Sequence, residues 1–226
     1  MHIVDIIYRI YKVAGSLICH QIPSRTIYAG GIPLPLCARD TGIYMGLFSS
    51  LAYIYLRRKN KSDSPPDIKN TVLLCCLMLL MIIDGGTSYL GIRNTNNIIR
   101  YFSGAFFGLP LPFFLLPAAY YNPKRSNMHK SLDKTAEIIL LIIINITIGY
   151  LLIEMDVLPW ILPATATIAS LIYIITRTVY TVVVRTQLTK APYMQLLVAG
   201  GTLGIILIMF FISTYILQPL KDTLLR

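Results

Sequence analysis

Residues 71–91 read "TVLLCCLMLLMIIDGGTSYLG", a run whose one charge is Asp84. A helix of that length covers about 30 Å at 1.5 Å per residue, the thickness of the hydrocarbon core of a bilayer. An ordinary soluble domain has no use for so long an apolar segment, which implies that this chain crosses a membrane. Cys75 and Cys76, inside the run, read as small hydrophobes facing lipid or core.

Five stretches of similar character flank it, at roughly 41–57, 97–119, 135–154, 158–182 and 194–217. The expectation is an all-α, polytopic helical bundle with about six transmembrane helices, forming a single integral membrane domain over residues 1–226. The stretch 41–57 is the shortest, so its outer end should lie near the interface. Prolines in "GLPLPFFLLP" (108–117) and "LPWILP" (158–163) should bend their helices or free carbonyls. No internal repeat is visible. The bulk composition agrees, with 55% hydrophobic and 13% charged residues in 226 and a mean hydropathy of +0.65.

Ahead of the spans, residues 3–19 put Asp5, Arg9, Lys12 and Ser16 on one stripe, with isoleucines, Val13 and Leu17 opposite. That pattern predicts an amphipathic interfacial helix over 1–19. The same charges interrupt what would be the apolar region of a cleavable signal peptide, so the amino terminus is expected to be retained.

The formal charge of +10 raises the question of nucleic acid. The basic residues gather instead in alternate loops, "RRKNKSDSPPDIK" (57–69), "NPKRSNMHKSLDK" (122–134) and "RTQLTK" (185–190), whereas "EMD" (154–156) has none. Positive charge of this kind sets orientation in a membrane, so nucleic acid is not an expected partner. The three basic loops should be cytoplasmic. The segment 20–40, the connection after the second span, the "EMD" turn and both termini should lie outside the plasma membrane.

Two polar clusters then share that outer side. In "DGGTSYLGIRNTNNIIRYFSGAFFG" (84–108), Asp84 ends a very apolar run, where a carboxylate needs a cation, a metal or water. Arg93, Asn97, Arg100, Gly104 and Gly108 recur at helical spacing, aiming two cations and an amide one way. Thr95 or an adjacent asparagine is a candidate cap, whose helix dipole would favour an anion, phosphate above all. The alternative is that the arginines snorkel or pair with Asp84 and the glycines pack helices. In "ICHQIPSRTIYAGGIPLPLCARDTG" (18–42), read as a loop, Cys19, His20, Cys37 and Asp40 are four potential ligands of a metal such as zinc. A Cys19–Cys37 disulfide, suited to an oxidising exterior, and plain loop packing remain open beside it.

The stretches "CHQIPSR" (19–25), "PLCARDTGIYMG" (35–46), "DGG" (84–86) and "RNTNNIIRYFSG" (93–104) resemble the hallmark of a family of small prokaryotic multi-pass membrane proteins of unknown function. That hallmark has the form CHQxPxRS, PLCxRCxGIYxG, then DG followed by RxSxNxxRxxTG. The resemblance covers about the first half of the chain. It points to Cys19, His20, Gln21, Pro23, Arg25, Cys37, Arg39, Gly42, Tyr44, Asp84, Gly85, Arg93, Asn97 and Arg100, and supplies no activity. Asp40 stands where the family has the second cysteine of CxRC, an exchange that a metal site tolerates better than a disulfide does.

Together the clusters suggest an enzyme acting on an anionic lipid or lipid-linked phosphate. Arg25, Arg39, Arg93, Asn97 and Arg100 would bind substrate, Asp84 would be general base or metal ligand, and His20 general acid or ligand. A transporter or translocator of an anionic substrate, and a non-catalytic subunit of a membrane complex, are the other readings. No nucleotide loop, haem attachment motif or serine hydrolase elbow is present.

Overall fold

The computed structural model describes residues 3–124, 126–186 and 191–217. Its order is α1 (Ile3–Ser16), a 3-10 turn (Pro23–Arg25), β1 (Thr26–Ala29), β2 (Ile32–Cys37), α2 (Ala38–Leu56), α3 (Ile68–Tyr89), α4 (Asn97–Gly108), α5 (Leu111–Tyr120), α6 (Thr135–Ile153), α7 (Ile161–Thr186) and α8 (Ala191–Ile212). A turn of π-helix, Ser213–Leu217, closes the described chain.

Among the described residues, five helices are long and apolar enough to cross a membrane: Ile68–Tyr89, Asn97–Tyr120, Thr135–Ile153, Ile161–Thr186 and Tyr193–Ile216. The second comprises α4 and α5, interrupted at Leu109 and Pro110, where proline has no N–H to continue the ladder. The sixth expected span, 41–57, forms α2, which is less apolar than the others for a physical reason. Its buried positions include Thr41, Gly42, Gly46, Ser49 and Ser50, because it packs against α4, α5, α6 and α7 and not chiefly against lipid. Small residues let neighbouring backbones approach in a membrane, where water-driven burial is absent. Two polar side chains close bonds inside: Ser50 Oγ donates to Leu109 O at the α4–α5 break (2.8 Å), and Asn145 Nδ2 donates to Ser49 Oγ (2.8 Å).

The tightest packing is between α2 and α4. A Cβ on Gly42 would stand 2.0 Å from Tyr101 O, on Gly46 2.2 Å from Ala105 O, on Gly104 2.2 Å from Arg39 O and on Gly108 1.8 Å from Ile43 O. Four-residue glycine spacings on both helices thus face each other. By contrast α3 shows Leu79, Leu80, Ile82, Ile83, Cys75 and Cys76 exposed, the lipid side of a helix that packs mainly on α4.

Segment 20–40, expected as a loop, contains a β-hairpin. Gly30 and Gly31 take φ values of 58° and 74°, the left-handed pair that a two-residue turn of this hand requires. The strands pair antiparallel, Ala29 opposite Ile32 and Thr26 opposite Cys37. Gly30 N–H donates to Asp156 Oδ1 at 2.7 Å, so the "EMD" turn anchors the hairpin tip.

The two ends of the bundle differ in chemistry. At one end sit the hairpin, residues 90–96, Asp156 and α1, whose Tyr8 and Tyr11 pack edge-on to Trp160 and whose Tyr11 Oη meets Thr165 Oγ1 at 2.8 Å. With 14 residues α1 is about 21 Å long, too short to span. Ile6, Ile10 and Val13 remain exposed beside its polar stripe, as an interfacial helix requires. At the other end the basic loops tie together: Ser64 bridges Lys130, Lys59 Nζ reaches Asp133 Oδ2 at 2.6 Å, and Asp63 N donates to His129 O at 3.1 Å. Arg185 Nε joins them through Ala118 O (2.8 Å), and Arg177 lies over Tyr120 and Tyr180 while donating to Leu116 O at 3.1 Å. Residues 187–190 of the third basic stretch, and the carboxyl terminus at 218–226, lie outside the described residues.

Single cysteines replacing the exposed Lys61 and Asn94, in a protein whose four native cysteines are removed, are therefore expected to react with an impermeant thiol reagent from opposite sides of a membrane vesicle. Reaction of both from one side would put the two ends on the same face and undo the arrangement.

Candidate functional site

The site is assembled by the contact of α1 with β2. Gly15 sits so close to Pro35 that a Cβ would be 2.1 Å from its carbonyl oxygen. Gln21, in a left-handed conformation, donates from Nε2 to Lys12 O (2.6 Å) and Pro35 O (2.9 Å), clamping the turn after α1 to the hairpin. That clamp presents buried Cys19 to Cys37, the residue that caps α2. Cys19 Sγ accepts from Cys37 N at 3.1 Å and Gln21 N at 3.4 Å. Cys37 Sγ donates to Asp40 Oδ2 at 3.1 Å, one turn further along α2.

One ligand atom from each of Cys19, Cys37 and Asp40 lies within 4.8 Å of the other two. The hydrogen bond between the thiols raises the Cys19 pKa, burial adding to it, and lowers that of Cys37. Both cysteines are free thiols.

Asp84, expected to need a partner, has four donors. Arg39 Nη2 reaches Oδ2 at 2.6 Å, Ser103 Oγ reaches Oδ2 at 3.2 Å, Thr95 Oγ1 reaches Oδ1 at 2.9 Å, and Arg93 Nη2 also binds Oδ1. The carboxylate is 3% exposed, so this array is what keeps a charge at the end of the apolar run. Arg93 departs from the expected stripe because the helix has not begun there. Asn96 caps α4 by accepting from Ile99 N at 2.8 Å, the coil before it turns Arg93 to Asp84, and the periodicity holds only from Asn97 onward. Asn97 Nδ2 donates to Ser24 O (3.3 Å) and Thr26 O (3.4 Å) beneath the hairpin, and its Oδ1 receives Arg100 Nη1 at 3.2 Å.

A cleft of about 250 Å³ opens beside these groups. Arg25, Arg39 and Arg100 line it together with the thiols, Asp40 and the exposed rim residue His20. Of the residues singled out in the sequence, these come together around one space, with His20 outside the compact Cys19–Cys37–Asp40 group. Arg93, Asn97 and Asp84 do not line the cleft; they brace it from behind, Asp84 by holding Arg39. Ser88 and Tyr89 of α3 also line it, and Arg39 lies 5.7 Å from the Tyr89 ring centroid. Sequence reasoning passed over those two, and over Ser103, although Ser103 follows Arg100 by three residues and so shares its face of α4.

The polar lining of the cleft, from Cys19 to Arg100, lies within the part of the chain that a family model matches. A family model described as "Predicted membrane protein (DUF2085)" matches residues 19–114. An uncharacterized protein of Methanocaldococcus jannaschii is 32% identical over 112 residues, 49% of this chain and 67% of the relative. An uncharacterized protein of Methanothermobacter thermautotrophicus is 37% identical over 95 residues, 42% of this chain and 80% of the relative. No solved structure matches.

Proposed function

As the chain belongs to this family of predicted membrane proteins, we propose that it acts at the outer edge of the plasma membrane by binding the phosphate of an anionic lipid or lipid-linked intermediate in the arginine cleft. One observation carries this reading. Three guanidinium groups, on the turn before β1, on α2 and on α4, converge on one small cleft, and Asp84 already engages Arg39 from behind. Like charges brought together in a partly desolvated space repel unless an anion joins them, and guanidinium offers paired donors to phosphate oxygens. The volume suits a phosphate group and its immediate substituent, leaving acyl chains in the bilayer.

The sidedness rests on the basic loops, which gather at the opposite end and would hold that end in the cytoplasm. Confinement of the cluster to one end favours an enzyme or receptor over alternating access. The cation Arg177 on α7 is held by Leu116 O and two tyrosine rings, and Glu137 sits in the first turn of α6 near Lys59. Where chemistry follows binding, His20 on the rim is the group placed to exchange a proton with substrate, and Asp84 is a positioning residue for Arg39.

The test compares the protein in phosphatidylcholine nanodiscs with and without phosphatidate, and separately with inorganic phosphate. Phosphatidate is expected to raise the unfolding temperature, and Arg100→Ala or Arg25→Ala to weaken its binding about 10-fold or more, the effect of losing one charge-assisted hydrogen bond of about 1.5–3 kcal/mol. Stabilisation by inorganic phosphate alone would identify a free anion as the ligand. Equal phosphatidate binding by wild type and by a protein carrying both Arg25→Ala and Arg100→Ala would overturn the reading.

A further inference from the structure

We propose that Cys19, Cys37 and Asp40 are three ligands of a zinc ion whose fourth position opens onto the arginine cleft. The donor set is two thiols and one carboxylate, each ligand atom within 4.8 Å of the others. Zinc binds sulfur at about 2.3 Å and carboxylate oxygen at about 2.0–2.2 Å, so the edges of a tetrahedral site measure about 3.5–3.8 Å. Closing the group on an ion takes adjustments of roughly 1 Å in the separations of the ligand atoms.

The elements holding the ligands are already fixed. Cys37 and Asp40 bracket the start of α2, whose N-terminal amides favour a thiolate. Cys19 is brought to them by the Gln21 clamp, and its buried sulfur accepts two backbone N–H groups, partners that a thiolate uses better than a thiol does. The proton that Cys37 shares with Asp40 lies between two of the ligands, where a cation would replace it. Thiolate donors select soft or borderline ions, and a tetrahedral set of this kind with one open position suits zinc. Water, His20 or a phosphate oxygen would fill that position, and a phosphate there would be shared with Arg25 and Arg100, which line the same cleft.

The three ligands line the same cleft as the arginines, but the metal site does not rest on the phosphate reading, and its test reads metal alone. The full chain, purified in detergent and freed of metal with a chelator under reducing conditions, is titrated with cobalt(II) as a spectroscopic stand-in and analysed for zinc as isolated. Near-stoichiometric zinc and a thiolate-to-cobalt charge-transfer band are expected in wild type and in Cys75→Ser/Cys76→Ser, whose substitutions face lipid. Cys37→Ser and Asp40→Ala are each expected to lower cobalt affinity about 100-fold or more, exceeding the loss from changing a residue that only hydrogen-bonds to a ligand. Reduced wild-type protein that gives no charge-transfer band overturns the proposal, as does cobalt binding that Cys37→Ser leaves unaltered. A Cys19–Cys37 disulfide in metal-free protein as isolated would overturn it in favour of a stapled loop.

Discussion

Gly104→Leu is expected to abolish recovery of folded protein, while Gly86→Ala leaves the unfolding temperature nearly unchanged. A Cβ at Gly104 would lie 2.2 Å from Arg39 O and 3.1 Å from Ile43 N, both backbone atoms of α2, whereas at Gly86 nothing lies within 4 Å. A flexible side chain could swing away; a helical carbonyl cannot. The helices must separate, and the separation propagates, because Gly42, Gly46 and Gly108 make equally close reciprocal contacts along the same seam. Overpacking typically costs about 1–3 kcal/mol even where side chains can yield, and here the obstacle is backbone on both helices, so a loss beyond about 3 kcal/mol is expected. The obstructed atom belongs to Arg39, so any protein that does insert should also bind phosphatidate more weakly. The check is the yield of monodisperse protein and its unfolding temperature in detergent, with Gly104→Ala as the graded case. Wild-type stability in Gly104→Ala would show that α2 and α4 are farther apart than these contacts require.

That seam also marks the limit of what the sequence could tell. Gly104 and Gly108 were visible at helical spacing, and so were Gly42 and Gly46 in "GIYMG", but spacing on one helix does not say which other helix it meets. The apolar length of 71–91 was enough to place a span, since lipid imposes one requirement on every residue it touches. α2 obeys a different rule, its neighbours being other helices, and mean hydropathy undervalues it for that reason. Gly30 and Gly31 between β-branched and aliphatic residues carry the turn signal of the hairpin, which the ligand-bearing residues on both sides mask by looking like loop. At the site, the need of Asp84 for a cation, a metal or water follows from its place at the end of a very apolar run. Arg39 meets it from α2, whereas the part played by Arg93 depends on where α4 begins: the Asn96 cap sets that boundary past residue 93, so Arg93 is a counter-ion and not a residue of the binding stripe.

Asp84→Asn is expected to destabilise the protein by about 3–5 kcal/mol, the range found when one partner of a buried ion pair is removed. The carboxylate accepts from Arg39, Arg93, Thr95 and Ser103, so it joins α2, α3, the coil before α4 and α4 itself. An asparagine of the same shape has no net charge and would turn an N–H toward donors, leaving the guanidinium of Arg39, whose side chain is 14% exposed, without its counter-charge. Arg93→Ala should cost far less, since that side chain is 47% exposed and Asp84 would keep three donors. Stability and binding can then be separated. Replacing the buried charges by apolar residues, Asp84→Leu with Arg39→Met, removes the buried unpaired cation, leaves the half-exposed Arg93 to water, and is expected to regain most of the unfolding temperature. The same protein should still bind phosphatidate weakly, because the cleft has lost one of its three guanidinium groups. If it binds as wild type does, Arg39 serves only to neutralise Asp84, and the ligand is held by Arg25 and Arg100 alone. If Asp84→Asn unfolds at the wild-type temperature, the carboxylate is not the counter-charge its four donors imply, and the bracing of the cleft must lie in the hairpin and Asn97.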